Sequence, residues 1–155
     1  MSATQNPEQE IAATPSSHQP LTLSNPEGLY DPSANGYSHL GIVAPNSQLI
    51  YIAGQGGENV QGELPDDFHL QVRWALANLK TAVNAAGAEL KDIAKLTVLI
   101  VDHSEERLRI LADELDAAWE SAMKPTCTLI PVPRLALDGM LFEVEAVAVA
   151  PKREF

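Results

Sequence analysis

The order of periodic segments in this chain of 155 residues predicts an α+β fold, ββαβαββ, in which a mixed sheet carries two helices on one face. Three observations carry that reading. Met140 to Val149 alternates on a period of two, and two segments repeat apolar residues at helical spacing. The runs beginning near Leu40, Gln48 and Lys95 are short and aliphatic, the composition of strands.

Residues 1–20 are polar and proline-bearing, the composition of a flexible tail, and residues 21–152 make one domain. The stretch 21–39 is rich in turn residues and reads as irregular. LGIVA (40–44) and QLIYIAG (48–54), separated by PNS, read as a β-hairpin. After the glycine-rich GQGGENVQGEL, Pro65, Asp66 and Asp67 suit a helix start. Phe68, Val72, Leu76, Leu79, Val83 and Ala86 then recur at helical spacing, and Gly87 ends the helix. KLTVLIV (95–101) reads as a mostly buried strand. A second helix over roughly 105–121 gathers Leu108, Leu111, Ala112, Leu115 and Ala118 on one side.

Two strands joined by a turn close the domain. In the last, Met140, Phe142, Val144, Ala146 and Ala148 face one way and Leu141, Glu143, Glu145, Val147 and Val149 the other. Glu143 and Glu145 thus stand about 7 Å apart among aliphatic neighbours. Carboxylates in such surroundings need partners or a partly wet cleft, so this face is a site candidate. Two helices cover only one face of a sheet. The other is too apolar to meet water, so a second copy of the chain is expected on it.

Composition excludes several classes. The net charge is −11, and residues 1–72 hold eight acids and no Lys or Arg, which argues against a nucleic-acid partner. No apolar run reaches the ~18–20 residues of a membrane span. The first basic residue is Arg73, so the N-terminus lacks the charge of a secretory or transit segment, and a cytoplasmic location is expected. The lone cysteine, Cys127, fits a reducing compartment. The four histidines show no metal-ligand spacing, and the glycine-rich loop lacks the Lys-Ser/Thr of a phosphate cradle. No metal or cofactor is expected.

Four segments together carry a family likeness: NGYSH (35–39), IAGQ (52–55), LANLKTAVNAAGAEL leading into DIAKLTVLIVD (76–102), and PVPRLALDGMLFEVEAVAV (131–149). Over residues 21–150 the chain resembles the Rid family of reactive-intermediate deaminases, also called YjgF-like or endoribonuclease L-PSP proteins. The resemblance implies a chorismate-mutase-like fold and a homotrimer with ligand clefts between subunits. It also implies hydrolysis of 2-imino or 2-enamino acids to keto acids and ammonia. The family's site tyrosine matches Tyr37, its glycine Gly54, and its first glutamate Glu143. Its carboxylate-clamping arginine, set in a Pro-Ala-Arg-Ser-Cys-type segment, falls on Cys127 when aligned from Arg134. It falls on Thr128 when aligned from Glu143, because the turn at Ala136–Gly139 is one residue longer than usual. No Lys or Arg lies between Lys124 and Arg134, so the chain resembles an arginine-lacking branch.

A guanidinium–carboxylate pair is worth about 1.5–3 kcal/mol in charged hydrogen bonding. Its loss predicts a small-metabolite binder that is a poor 2-imino-acid deaminase, with Glu143 activating a water against an imine, enamine or related compound. A standard deaminase, taking a cation such as Arg107 or Arg109 from a neighbouring subunit, is the alternative. A binding or chaperone-like module is a third. Glu145 reads as structural, Arg134 as a holder of its turn, and Cys127 as a small core-like residue. A thiolate served by His39, His69 or His103 is the sharper reading of Cys127.

Overall fold

The computed structural model describes residues 19–120 and 122–153; of the expected tail, only Gln19 and Pro20 fall within them. In chain order the elements are β1 (Leu21–Ser24), β2 (Leu40–Val43), β3 (Ser47–Gln55), α1 (Phe68–Ala85), β4 (Ile93–Val101), α2 (Glu105–Trp119), β5 (Thr126–Val132) and β6 (Phe142–Pro151). Single 3-10 turns sit at Ser33–Asn35 and Leu90–Asp92.

The principal sheet runs β3-β6-β4-β5. It is mixed, because β4 and β5 are parallel while β6 runs antiparallel to both β3 and β4. Both helices lie against one face. Phe68, Val72, Leu76, Leu79 and Val83 of α1, with Leu111, Leu115 and Trp119 of α2, join Leu96, Val98, Ile100, Phe142, Val144, Ala146 and Ala148 in one buried cluster. The period-two alternation of the last strand is thus the core boundary itself. Each helix is capped as its sequence requires. The Asp67 carboxylate accepts the Leu70 N–H, and the Ser104 hydroxyl accepts the Arg107 N–H.

Three expectations need correction. LGIVA and QLIYIAG do not pair as a hairpin. Strand β2 forms a separate two-stranded sheet with β1, Leu21 facing Val43 and Ser24 facing Leu40, while β3 pairs with β6. The tight link at 44–46, with Asn46 at φ 60°, turns the chain without joining its flanks. The ladder to β6 pairs Ser47 to Ile52 and Gln55, a longer run than the four residues of β2 could offer. Correspondingly, 21–39 is not wholly irregular, since it supplies β1 and a 3-10 turn. The second helix also stops at Trp119 rather than 121, with Glu120 at φ 54°.

A buried glutamine locks the end of the sheet. Gln71 donates from Nε2 to the carbonyls of Pro65 (2.7 Å) and Gly139 (2.9 Å), and its Oε1 accepts the Leu141 N–H at 2.8 Å. Three loop groups that would otherwise lose solvent without partners are satisfied by one side chain on α1. The entry to β6 is fixed two residues before Glu143.

The opposite face of the sheet is open over most of its length, although Val149 at its β1 end is buried. On it Leu49, Tyr51 and Ile130 are 47%, 76% and 42% exposed, beside half-buried Val147. No helix among the described residues is long and apolar enough to cross a membrane.

Candidate functional site

Glu143 projects from β6 onto that open face, at the rung occupied by Leu99 of β4 and Ile130 of β5. Glu145 follows one rung on, level with Thr97 and Thr128. Opposite them, the β3–β6 register slips between Ile52 and Gln55, a bulge that contains Gly54. A Cβ placed on Gly54 would lie 1.8 Å from Glu143 Oε1 and 2.9 Å from its Cγ. In this rotamer the Glu143 side chain fills the space that a side chain at 54 would occupy, so any other residue there must displace the carboxylate. Among the described residues neither Glu143 nor Glu145 has an ion-pair partner.

The two positions aligned with the arginine point in opposite directions. Cys127 is in register with buried Leu96 and packs against the helix-side core. Burial pushes its thiol up to about 12. At neutral pH it is a protonated, core-facing group, a poor nucleophile. Thr128 is in register with Thr97 and shares the face of Glu143 and Glu145. Both side chains are neutral.

Tyr37 belongs to a second group, beyond the β5 edge. Ser38 bridges to Thr126; its N–H donates to Pro125 O at 3.0 Å and its hydroxyl to Lys124 O at 2.6 Å. That tether places Tyr37 next to the Cys127 strand and three strand spacings from β6, about 14 Å. Its hydroxyl bonds that of Tyr30, and this bond together with burial pushes the Tyr37 phenol up to about 12. His39 packs edge-to-face on both rings, with centroid distances of 5.2 Å to Tyr30 and 5.5 Å to Tyr37. Glu143 and Gly54 are therefore brought together within one chain, and Tyr37 is not brought to them.

The cations near these elements are mostly engaged elsewhere. Lys124 bonds Asp116 at 2.5 Å, and Arg134 bonds Asp138 at 2.8 Å across its own turn. Arg107 donates to Val101 O and lies 4.5 Å above the Phe68 ring. His69, at 2.5 Å, and Arg73, at 2.9 Å, both hold the buried Glu114 carboxylate. His103 shares no hydrogen bond with Cys127 among the described residues. Among the described residues, only Lys95 of the cations shares the open face, at the rung of Val147 and Thr126. The described residues contain no cluster of three or more His, Cys, Asp or Glu able to hold a metal. A groove of about 430 Å³ lies between β1 and the body at Lys91, Met123 and Val149, away from Glu143.

Sequence reasoning passed over Tyr30, Lys95 and Gln71. Gln71 left a signal, a polar residue three after Phe68 on the apolar stripe of α1. Lys95 left one too, the single charge within an aliphatic strand. Tyr30, in a stretch without periodicity, left none.

The family model described as Endoribonuclease L-PSP matches residues 30–150. The chain is 34% identical over 119 residues to the 2-iminobutanoate/2-iminopropanoate deaminase of Escherichia coli, covering 76% of this chain and 91% of that one. Among solved structures, the Rid-family protein YyfB of Yersinia pestis superposes with a TM-score of 0.80 at 33% identity, over 84% of this chain and 98% of that one. Escherichia coli TdcF with bound serine gives 0.59 at 33% identity, over 69% and 84%.

Proposed function

The chain belongs to the Endoribonuclease L-PSP (YjgF/Rid) family, and from that premise we propose that it hydrolyses a small imine that carries no carboxylate, or the corresponding enamine once a proton has added to its β-carbon and one has left its nitrogen to give the imine. The reaction takes place in clefts between the subunits of a homotrimer. Water activated by Glu143 adds to the imine carbon while the nitrogen takes up a proton. The resulting carbinolamine collapses to a carbonyl compound and ammonia, so that R₂C=NH and H₂O give R₂C=O and NH₃.

The observation that carries this reading is the contact between Gly54 and Glu143. A carboxylate without an ion partner occupies a gap kept open by a glycine in a bulge. Two further features support it. The apolar residues Leu49, Tyr51 and Ile130 on the open face favour cover by another copy. The three-strand separation of Tyr37 from β6 favours a cleft that draws its phenol and its carboxylate from different copies. The named relatives act on 2-imino acids or hold serine, ligands with a carboxylate. Here the positions aligned with the arginine are Cys127 and Thr128, and Glu143 and Glu145 would repel an anion.

A second reading, hydrolysis of 2-imino acids themselves, is favoured by Lys95, which stands on the face of Glu145 and Thr128 without an ion-pair partner among the described residues. One assay separates the two. A 2-imino acid is generated from leucine by an amino-acid oxidase, and its decay is followed with and without the protein. Decay at the uncatalysed rate is expected. Acceleration that Lys95→Ala removes would establish the second reading in place of the first.

A further inference from the structure

We propose that Tyr30 is the second half of a two-phenol anchor. With Tyr37 it offers a hydroxyl donor to an uncharged acceptor of the substrate, an ester, amide or ketone oxygen, where a guanidinium would clamp a carboxylate. The inference deepens the reading above and rests on Tyr37 lining the cleft.

Tyr30 is 60% exposed, yet its surroundings hold it still. Its hydroxyl bonds that of Tyr37, and its ring meets Tyr37 edge-on at 6.5 Å and His39 at 5.2 Å. The backbone beneath is fixed as firmly. His39 Nε2 bonds Tyr30 O at 2.8 Å, and the His39 N–H donates to Asn25 Oδ1 at 2.9 Å. The Asp31 carboxylate accepts the Ser33 N–H and hydroxyl, at 3.0 and 2.6 Å. Ser38 ties the far end to Lys124 and Pro125. An irregular surface segment has no packing need for so many restraints around two half-open phenols. Holding two hydroxyls in one place is what a binding site needs.

The chemistry of the pair defines what it takes. In a hydrogen-bonded pair of phenols one O–H is used between them and one remains, strengthened as a donor by the first. The Tyr37 phenol, pushed up to about 12 by its bond to Tyr30 and by burial, carries no charge at neutral pH. The titratable groups around it are His39, Cys127 and Asp31. The Cys127 thiol is protonated, and the Asp31 carboxylate is held below its usual range by the Ser33 hydroxyl and N–H. No Lys or Arg bonds either phenol among the described residues, and His39 Nε2 is engaged by Tyr30 O. A neutral carbonyl beside the C=N bond accepts a phenolic hydrogen bond without needing a counter-charge.

The test uses methyl 3-aminocrotonate, a stable neutral enamine ester whose absorbance is lost as water converts it to methyl acetoacetate and ammonia. Wild type, Tyr30→Phe, Tyr37→Phe, the double variant and Glu143→Gln are compared. The wild type is expected to accelerate the loss. Each phenylalanine variant is expected to lower kcat/KM about 10-fold, and the double variant no further, because the two hydroxyls act as a unit. In chains carrying ¹³C at tyrosine Cζ, the Tyr37 signal is expected to stay unmoved to pH 10.5 in wild type and to titrate near pH 10 in Tyr30→Phe. A Tyr30→Phe variant with wild-type kcat/KM, or strictly additive losses, overturns the anchor. So does a wild type inert toward the ester. If Tyr37→Phe and Glu143→Gln both hydrolyse the ester at the wild-type rate, the cleft reading itself fails, and the ¹³C titration still reports whether the phenols are paired.

Discussion

Gly54 and Glu143 occupy one volume: the Cβ that position 54 lacks would sit 1.8 Å from Glu143 Oε1. Replacing Gly54 by Ala must push the carboxylate into another rotamer, since the Cγ is also within 2.9 Å. Misplacement by about 1 Å is worth up to 10²-fold in rate. Gly54→Ala is expected to lose 10- to 100-fold in imine hydrolysis while its urea midpoint stays close to wild type. A variant with full activity would show that the position of the carboxylate is immaterial.

Cys127 and Thr128 give opposite outcomes when an arginine is restored. At Thr128 the guanidinium joins the face of Glu143, and Thr128→Arg is expected to gain hydrolysis of the leucine-derived 2-imino acid, at least 10-fold over the parent. At Cys127 it enters the helix-side core, where an unpaired buried charge costs several kcal/mol. Cys127→Arg is expected to be insoluble or to melt far below the parent. Soluble Cys127→Arg with the gained activity would invert the strand assignment.

Gln71 satisfies Pro65 O, Gly139 O and the Leu141 N–H at once. Gln71→Leu keeps the volume and strands three polar groups, a loss of about 3 kcal/mol in urea unfolding. A loss under about 1 kcal/mol would mean that water replaces the side chain.

Glu114 sets an acid limit. Burial on its own would push the carboxyl up, but the hydrogen bonds from Arg73 and His69, and their charges, outweigh it and hold the carboxyl below its usual range. A carboxyl depressed on folding stabilises the fold above its unfolded value, near 4.5, and that contribution is lost as pH falls through the lower folded value. The stability gap between wild type and Glu114→Gln is therefore expected to be full at pH 6 and to close as pH drops below about 4.5. Parallel curves over that range would detach Glu114 from acid unfolding.

Much of this architecture was readable before any coordinates. The β6 alternation gave the core side and the open side residue by residue, and the stripe from Phe68 to Val83 gave α1. The pairing of β2 was not readable, because four residues of β1 in a turn-rich stretch give too short a periodic signal, and a tight link suggests a hairpin whether or not its flanks pair. The sequence leaves Cys127 and Thr128 both open for a related reason. Side chains alternate with a period of two, so a one-residue uncertainty in turn length exchanges the two faces. Only the register to Leu96 and Thr97 separates them. The meeting of Gly54 with Glu143 needs the bulge, which brings together residues far apart in sequence and leaves no local trace.

The flanks of the sheet are unequally protected. Strand β5 is blunted at both ends, by the Ser38 bridge at Thr126 and by Pro131, which has no N–H to offer. Strand β3 presents SQLIYIAGQ, without a charge or a proline, along a free margin. A single copy exposes that margin as a template for runaway strand addition, so overproduction of the chain is expected to leave deposits seeded from β3.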